Sequence, residues 1–231
     1  MIPLEDFRKE LTSYLTSVPG SKAKIYPSPL MGRIDEVYSV LDRAELSPVH
    51  FVLEYGAWPG LYCCYIARMV KKVIAIDNQQ FLKNGVFPDF PMADWVDEIK
   101  KFNLDNLFPQ EGDILDINLP DGIFDRIISF GVHEHIQEDV LALKEMGRIL
   151  KDDGLVVMTV DFWRNGIAYD TSMPGRIYDR ESLESWYTTG GFERVDSFDW
   201  DDLYKHTTEG TNSFASPKVG AMPIALRKVG V

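Results

Sequence analysis

HFVLEYGAWPGLYCCYIARMV, residues 50–70, is the stretch from which the fold can be read outward. An apolar run, Phe51-Val52-Leu53, ends in Glu54 and Tyr55. Gly56 and Gly60 follow, and then apolar residues at helical spacing. A strand, a glycine turn and a helix make a cradle for a nucleotide cofactor. Glycine lets a ligand approach the backbone, and a helix N-terminus favours negative charge. Trp58 stands in the middle of this turn, where a small residue is the norm. A side chain is acceptable there only if the backbone needs no positive φ. Ala57 and Pro59 suit a tight, rigid turn.

Downstream of the turn, strand-like and helix-like patterns alternate. KVIAID, DRIISF and GLVVMTVD read as strands, and MADWVDEIKKFN, EDVLALKEMGRIL and DRESLESWYTTG as helices. In the second of these helices Leu141, Met146, Ile149 and Leu150 are available for burial. FERVDSFDW and MPIALRKV read as late strands. Alternation with nearly all-apolar strands predicts an α/β fold with a mostly parallel sheet covered on both faces. Upstream, Leu4, Phe7, Leu11, Leu15 and Val18 recur at helical spacing, and so do Ile34, Val37, Tyr38 and Leu41. PGSKAKIYPSP breaks the chain between them. Residues 1–48 are expected to form an N-terminal helical cap, and residues 49–231 a Rossmann-like domain.

Composition bounds the partners. Of 231 residues, 45% are hydrophobic and 26% charged, which is ordinary for a water-exposed globular chain. A net charge of −12 repels polyanions, so nucleic acid is not expected as a partner. No apolar run approaches the length of a membrane span. The N-terminus MIPLEDFRKEL has early acids and does not read as a signal peptide. The two cysteines, Cys63 and Cys64, are adjacent, so no disulfide framework is expected and a reducing cytoplasm fits. Nothing in the pattern sets the oligomeric state.

In an open parallel sheet, ligands bind beyond the carboxyl ends of the strands. Asp77 ends KVIAID, where a carboxylate can accept from both ribose hydroxyls. EGDILDINLPDGIFDRIISFGVHEHI then carries Asp113, the Asp121-Gly122 turn, an apolar strand and His133-Glu134-His135. From here the sequence resembles the class I S-adenosylmethionine-dependent methyltransferases. EYGAWPG resembles the family's glycine-rich first motif, AID the second, EGDIL the acidic adenine-contact motif and FDRIISFGVHEHI the fourth-strand motif. GRILKDDGLVVMTV resembles the fifth-strand motif, and SLESWYTTGGFERV the lead-in to the sixth strand. Trp58 departs from the first motif and Asp153 from the usual Gly-Gly pair, of which Gly154 remains.

The resemblance implies a seven-stranded, mostly parallel sheet with the last strand antiparallel, and S-adenosylmethionine as cofactor. It implies Glu54 beside the methionine amino group, and Gly56 and Gly60, with Ala57 in the same turn, along the methionine moiety. It implies Asp77 on the ribose, Asp113 and Ile114 on the adenine, and Phe130 near the end of the fourth strand. His133 is the candidate general base for an oxygen acceptor, and His135 the second catalytic candidate. A metal held by His133, His135 and an acid such as Asp161 is a weaker alternative, and no metal is expected. The acceptor is expected to be a small molecule, methylated at oxygen: Arg164, Tyr169 and Arg176 beside aromatic residues suit a sugar or an acidic small molecule, and TNSFASPKVGAMPIALRKV resembles tails of bacterial methyltransferases of polysaccharide biosynthesis, which implies a sugar or polysaccharide precursor. The rival readings are a catalytically inactive scaffold of the same fold, favoured by Trp58, and a nicotinamide-dependent oxidoreductase, disfavoured by the glycine spacing.

Overall fold

A computed structural model describes residues 2–18, 34–58, 60–83, 92–162, 168–170, 175–197 and 220–229. The PGSKAKIYPSP break, Pro59, Trp163, Arg164 and most of the 200–221 connection lie outside these residues, as does the side chain of Tyr169.

Seven strands form one sheet: β1 (Phe51–Tyr55), β2 (Lys72–Asp77), β3 (Leu107–Glu111), β4 (Phe124–Phe130), β5 (Leu150–Phe162), β8 (Phe192–Arg194) and β9 (Gly220–Lys228). Their order is β3-β2-β1-β4-β5-β9-β8. The first five pair in parallel, whereas β9 runs antiparallel to both β5 and β8. The expected mostly parallel sheet with an antiparallel last strand is therefore what forms. Successive strands run outward from β1 one way and from β4 the other. This makes the β1–β4 boundary the topological switch point, where such sheets bind ligands.

Two cores lie on the two faces. The first holds α1 (Leu4–Ser17), α2 (Ile34–Ala44), α3 (Tyr62–Ala67) and part of α5 (Met92–Lys100). Phe7, Leu11 and Leu15 of α1 and Val37, Val40 and Leu41 of α2 are buried against Val52, Val73 and Val157 of the sheet. The N-terminal helices therefore form a layer of the main core. The second core holds α6 (Asp139–Ile149) and α7 (Arg180–Thr189). In α6 the buried positions are Ala142, Leu143, Met146 and Ile149, while Leu141 is 55% exposed. The helix begins at Asp139, and its phase turns Leu141 to solvent, against expectation. Asp179 caps α7, its carboxylate accepting from the Ser182 amide while the Ser182 hydroxyl accepts from the Asp179 amide.

Several elements carry no clear sequence signal. β3, LFPQE, is an edge strand with exposed positions and a proline, so it shows no apolar run. α4 (Gln80–Lys83) is a single turn, and β6 (Ala168–Asp170) and β7 (Gly175–Ile177) form a small separate hairpin. β5 begins at Leu150, a residue expected in the preceding helix. Leu150 pairs with Phe124, and pairing resumes at Leu155 opposite Arg126 after a register shift. Gly154 closes that bulge: a Cβ there would lie 2.7 Å from Leu150 Cγ and 3.1 Å from the Lys151 carbonyl oxygen. This is why the glycine of the fifth-strand motif matters and its Asp153 neighbour does not.

Candidate active site

The carboxyl ends of β1, β2 and β4 bring the expected cofactor residues to one edge. Glu54 and Tyr55 end β1 and alternate in direction, so they face opposite cores. Glu54 is 1% exposed, and its Oε2 has no hydrogen-bond partner. Burial pushes its carboxyl up to about 8. A buried carboxyl with an unused oxygen is costly unless something pairs with it.

Gly56 has φ +64°, and a Cβ there would fall inside the side chain of Val132, the residue that leads into the turn after β4. The glycine is thus required by the approach of two turns as well as by its backbone. Ala57 donates its amide to Ile76 O at 3.1 Å, tying the turn to β2. Gly60 has no positive φ among the described residues, and its carbonyl accepts from the indole of buried Trp95 at 2.7 Å.

Trp58 neither points outward nor strains the backbone. It is not among the residues with positive φ, it is 4% exposed, and it packs in the first core with Leu61, Tyr62 and Phe130. Its amide donates to Asp77 Oδ2 at 3.3 Å, and the Gln79 amide donates to Asp77 Oδ1 at 2.6 Å. Burial pushes Asp77 up to about 6, against the pull of these two amides. Each carboxylate oxygen offers two lone pairs, so both retain acceptor capacity for a ribose. Asp113 Oδ1 accepts from the Leu115 amide at 3.0 Å, which shapes the loop after β3, and Ile114 is buried beside it. Phe130 is buried at the end of β4, edge-on to Tyr62 at 5.2 Å.

His133, the candidate base, is enclosed by the fold. It opens a 3-10 turn, His133–His135, and is 0% exposed. Its Nδ1 lies 3.1 Å from Tyr55 Oη, and its Nε2 lies 3.1 Å from the Asp139 carbonyl oxygen. A carbonyl can only accept, so Nε2 carries the proton and Nδ1 accepts from the tyrosine. Burial, then the charge of Arg176, pushes the ring down to about 3. With both nitrogens engaged and no exposed surface, His133 has no lone pair to offer a substrate proton. His135 is half-buried in the same turn. Among the described residues no group of three His, Cys, Asp or Glu is placed to hold a metal.

Residues that the motifs did not single out complete the edge. The Gly131 amide donates to Thr159 Oγ1 at 2.9 Å, and Glu36 Oε2 of α2 lies 3.5 Å from that hydroxyl. Asp139 accepts from Tyr178 Oη at 2.8 Å and pairs with Arg176. Glu36 comes from a segment distant in sequence from the motifs, so no spacing rule finds it; Asp139 follows the fourth-strand motif closely but carries no motif signal of its own.

The fit to S-adenosylmethionine rests on Glu54. Its oxygen at the switch point lacks a hydrogen-bond partner, and the cofactor's amino group is a donor that can supply one. Asp77 has lone pairs for the ribose, and Asp113 is half-buried in the adenine segment.

A profile of the methyltransferase domain matches residues 53–158, the span from β1 to β5. An uncharacterized methyltransferase of Anoxybacillus flavithermus is 27% identical over 157 residues, covering 64% of this chain and 68% of the relative. The structure of the (4+2)-cyclase SpnF superposes with a TM-score of 0.67 at 19% identity, covering 85% of this chain and 81% of the cyclase. An S-adenosylmethionine-dependent methyltransferase from Mesorhizobium loti superposes with a TM-score of 0.58 at 10% identity, covering 85% and 98%. Strand order, cradle and profile agree: residues 53–158 match a methyltransferase domain, and the fold is the one shared with S-adenosylmethionine-dependent methyltransferases.

Proposed function

We propose that this protein methylates an oxygen of a small, hydroxylated acceptor, with a sugar as the favoured class. The observation that carries the cofactor half is Glu54, a buried carboxyl with an unused oxygen at the switch point. S-adenosylmethionine, when bound, supplies a methyl group on a positively charged sulfur. The chain's own part is to bind and align: Glu54 holds the amino group, Asp77 the ribose, and Asp113 and Ile114 the adenine. Alignment of this kind contributes roughly 7–11 kcal/mol to a group transfer.

An acceptor hydroxyl must also lose its proton. His135 and Glu36 are the half-buried groups at this edge that suit the task, in place of the closed His133. The charge of Arg176 is taken up by Asp139, which favours a neutral hydroxyl over an anionic acceptor. The net charge of −12 supports the same preference.

A second reading keeps the fold and drops the methyl transfer. Trp58 enters the core and does not carry this reading, which rests on the fold, since the fold alone hosts other chemistry. Calorimetric titration with S-adenosylhomocysteine separates the two. Micromolar binding by wild type, weakened in Glu54→Gln, supports the methyltransferase. Absence of binding, with the protein folded, supports the scaffold. Incubation with labelled cofactor and a panel of sugars then tests the acceptor, and label on an amine or carbon instead would refute oxygen transfer.

A further inference from the structure

Two turns wall the switch-point crevice: the one after β1, at Gly56, and the one after β4, at residues 131–135. The chain joins them at two points. Gly56 packs directly on Val132, and Tyr55 Oη bonds His133 Nδ1 at 3.1 Å. His133 is held in turn by the Asp139 carbonyl at 3.1 Å and by the ring of Trp186, whose centroid is 4.5 Å away. Asp139 is anchored by Tyr178 Oη at 2.8 Å and by Arg176. The chain Tyr55–His133–Asp139 is buried throughout.

We infer that Tyr55 and His133 are positioning residues for the cofactor, setting the width of the crevice between the two turns. Tyr55 stands between Glu54 and Gly56, so a shift of its ring moves both cofactor contacts. His133 neighbours Val132, so a shift of its ring moves the wall that Gly56 touches. Neither side chain needs to meet the ligand. Each acts by fixing the backbone that does. This rests on the cofactor site proposed above.

The test uses the full chain, with S-adenosylhomocysteine as probe and calorimetry and amide NMR as readouts. Tyr55→Phe removes one hydroxyl and keeps the ring in the core. It is expected to weaken binding five- to twentyfold while the melting temperature falls by only a few degrees. His133→Gln keeps a donor for the Asp139 carbonyl and an acceptor for the tyrosine, and is expected to stay within threefold of wild type. His133→Leu keeps neither, and is expected to lose more than twentyfold. Phe and Leu variants that bind as wild type does would overturn the inference. So would a Gln variant as weak as the Leu variant, since rescue by hydrogen bonding is what separates positioning from mere filling of space. If Leu fails to fold, Tyr55→Phe decides alone. If wild type does not bind the probe, the cofactor reading falls, and the inference is judged on the free protein. Displaced Gly56 and Val132 amide signals in Tyr55→Phe then support it, and unmoved ones overturn it.

Discussion

Glu54→Gln separates binding from stability, because one buried carboxyl serves both in opposite directions. In the free protein burial holds the Glu54 carboxyl up at about 8, from 4.5. At pH 7 it is therefore about nine-tenths protonated, and ionising it to meet a ligand ammonium costs about 1.4 kcal/mol. Binding of S-adenosylhomocysteine at pH 7 should release about 0.9 proton. Between pH 6 and 7, where an α-ammonium group keeps its charge, affinity should rise about tenfold, and it should flatten above pH 8. Glu54→Gln should release only the roughly 0.1 proton that Asp77 gives up at this pH. It should also lose a charge-assisted bond worth roughly 1.5–3 kcal/mol, with the deficit growing as pH rises. Stability moves the other way. Between pH 4.5 and 8 the folded state keeps a proton that the unfolded chain has lost, so stability falls as pH rises through that window. The full fall is on the order of 5 kcal/mol, and Glu54→Gln should abolish it. The variant should thus be more stable than wild type at pH 8 while binding worse. Titration in two buffers of different ionisation enthalpy, with urea melts from pH 5 to 8, reads both effects. A flat affinity profile without proton release, together with unchanged binding by the variant, would refute the assignment of Glu54.

Four further outcomes follow from the same geometry. Trp58→Ala should cost about 3–5 kcal/mol in urea denaturation, because it empties a core position, and a cost under 1 kcal/mol would contradict its burial. Gly56→Ala should cost about 2–4 kcal/mol from positive φ and collision with Val132, and a neutral result would show that the two turns are not in contact. Asp77 must be ionised to accept from a ribose, so affinity should drop as pH falls through about 6, and Asp77→Asn should bind at least tenfold more weakly by the same titration. His133, held neutral down to about 3, opposes folding in acid. Its contribution is complete above pH 6.5 and is lost as pH falls toward 3, so His133→Gln should shift the acid-unfolding midpoint downward by circular dichroism.

The sequence by itself determined the sheet and its ligand-bearing edge. Apolar strands alternating with amphipathic helices leave few topologies, and Gly56, Asp77 and Asp113 lie at strand ends whichever way the layers pack. Strand periodicity and glycine geometry are local, so they survive in one dimension. Elements without a local signal were illegible: β3 is an exposed edge with a proline, and the β6–β7 hairpin has three-residue strands. The phase of α6, which turns Leu141 outward, depended on where Asp139 starts the helix. Only tertiary structure decided the fate of the two residues on which the function turns. Trp58 could face the ligand or the core, and the choice was made by the N-terminal helices, which supply the core that its ring enters. His133 has the chemistry of a base in any sequence. Tyr55, remote in the chain, and the Asp139 carbonyl, six residues on, occupy both its nitrogens, and burial removes its charge. A side chain's type sets what it can do, but its solvent access and partners set what it does, and those come from contacts between distant segments.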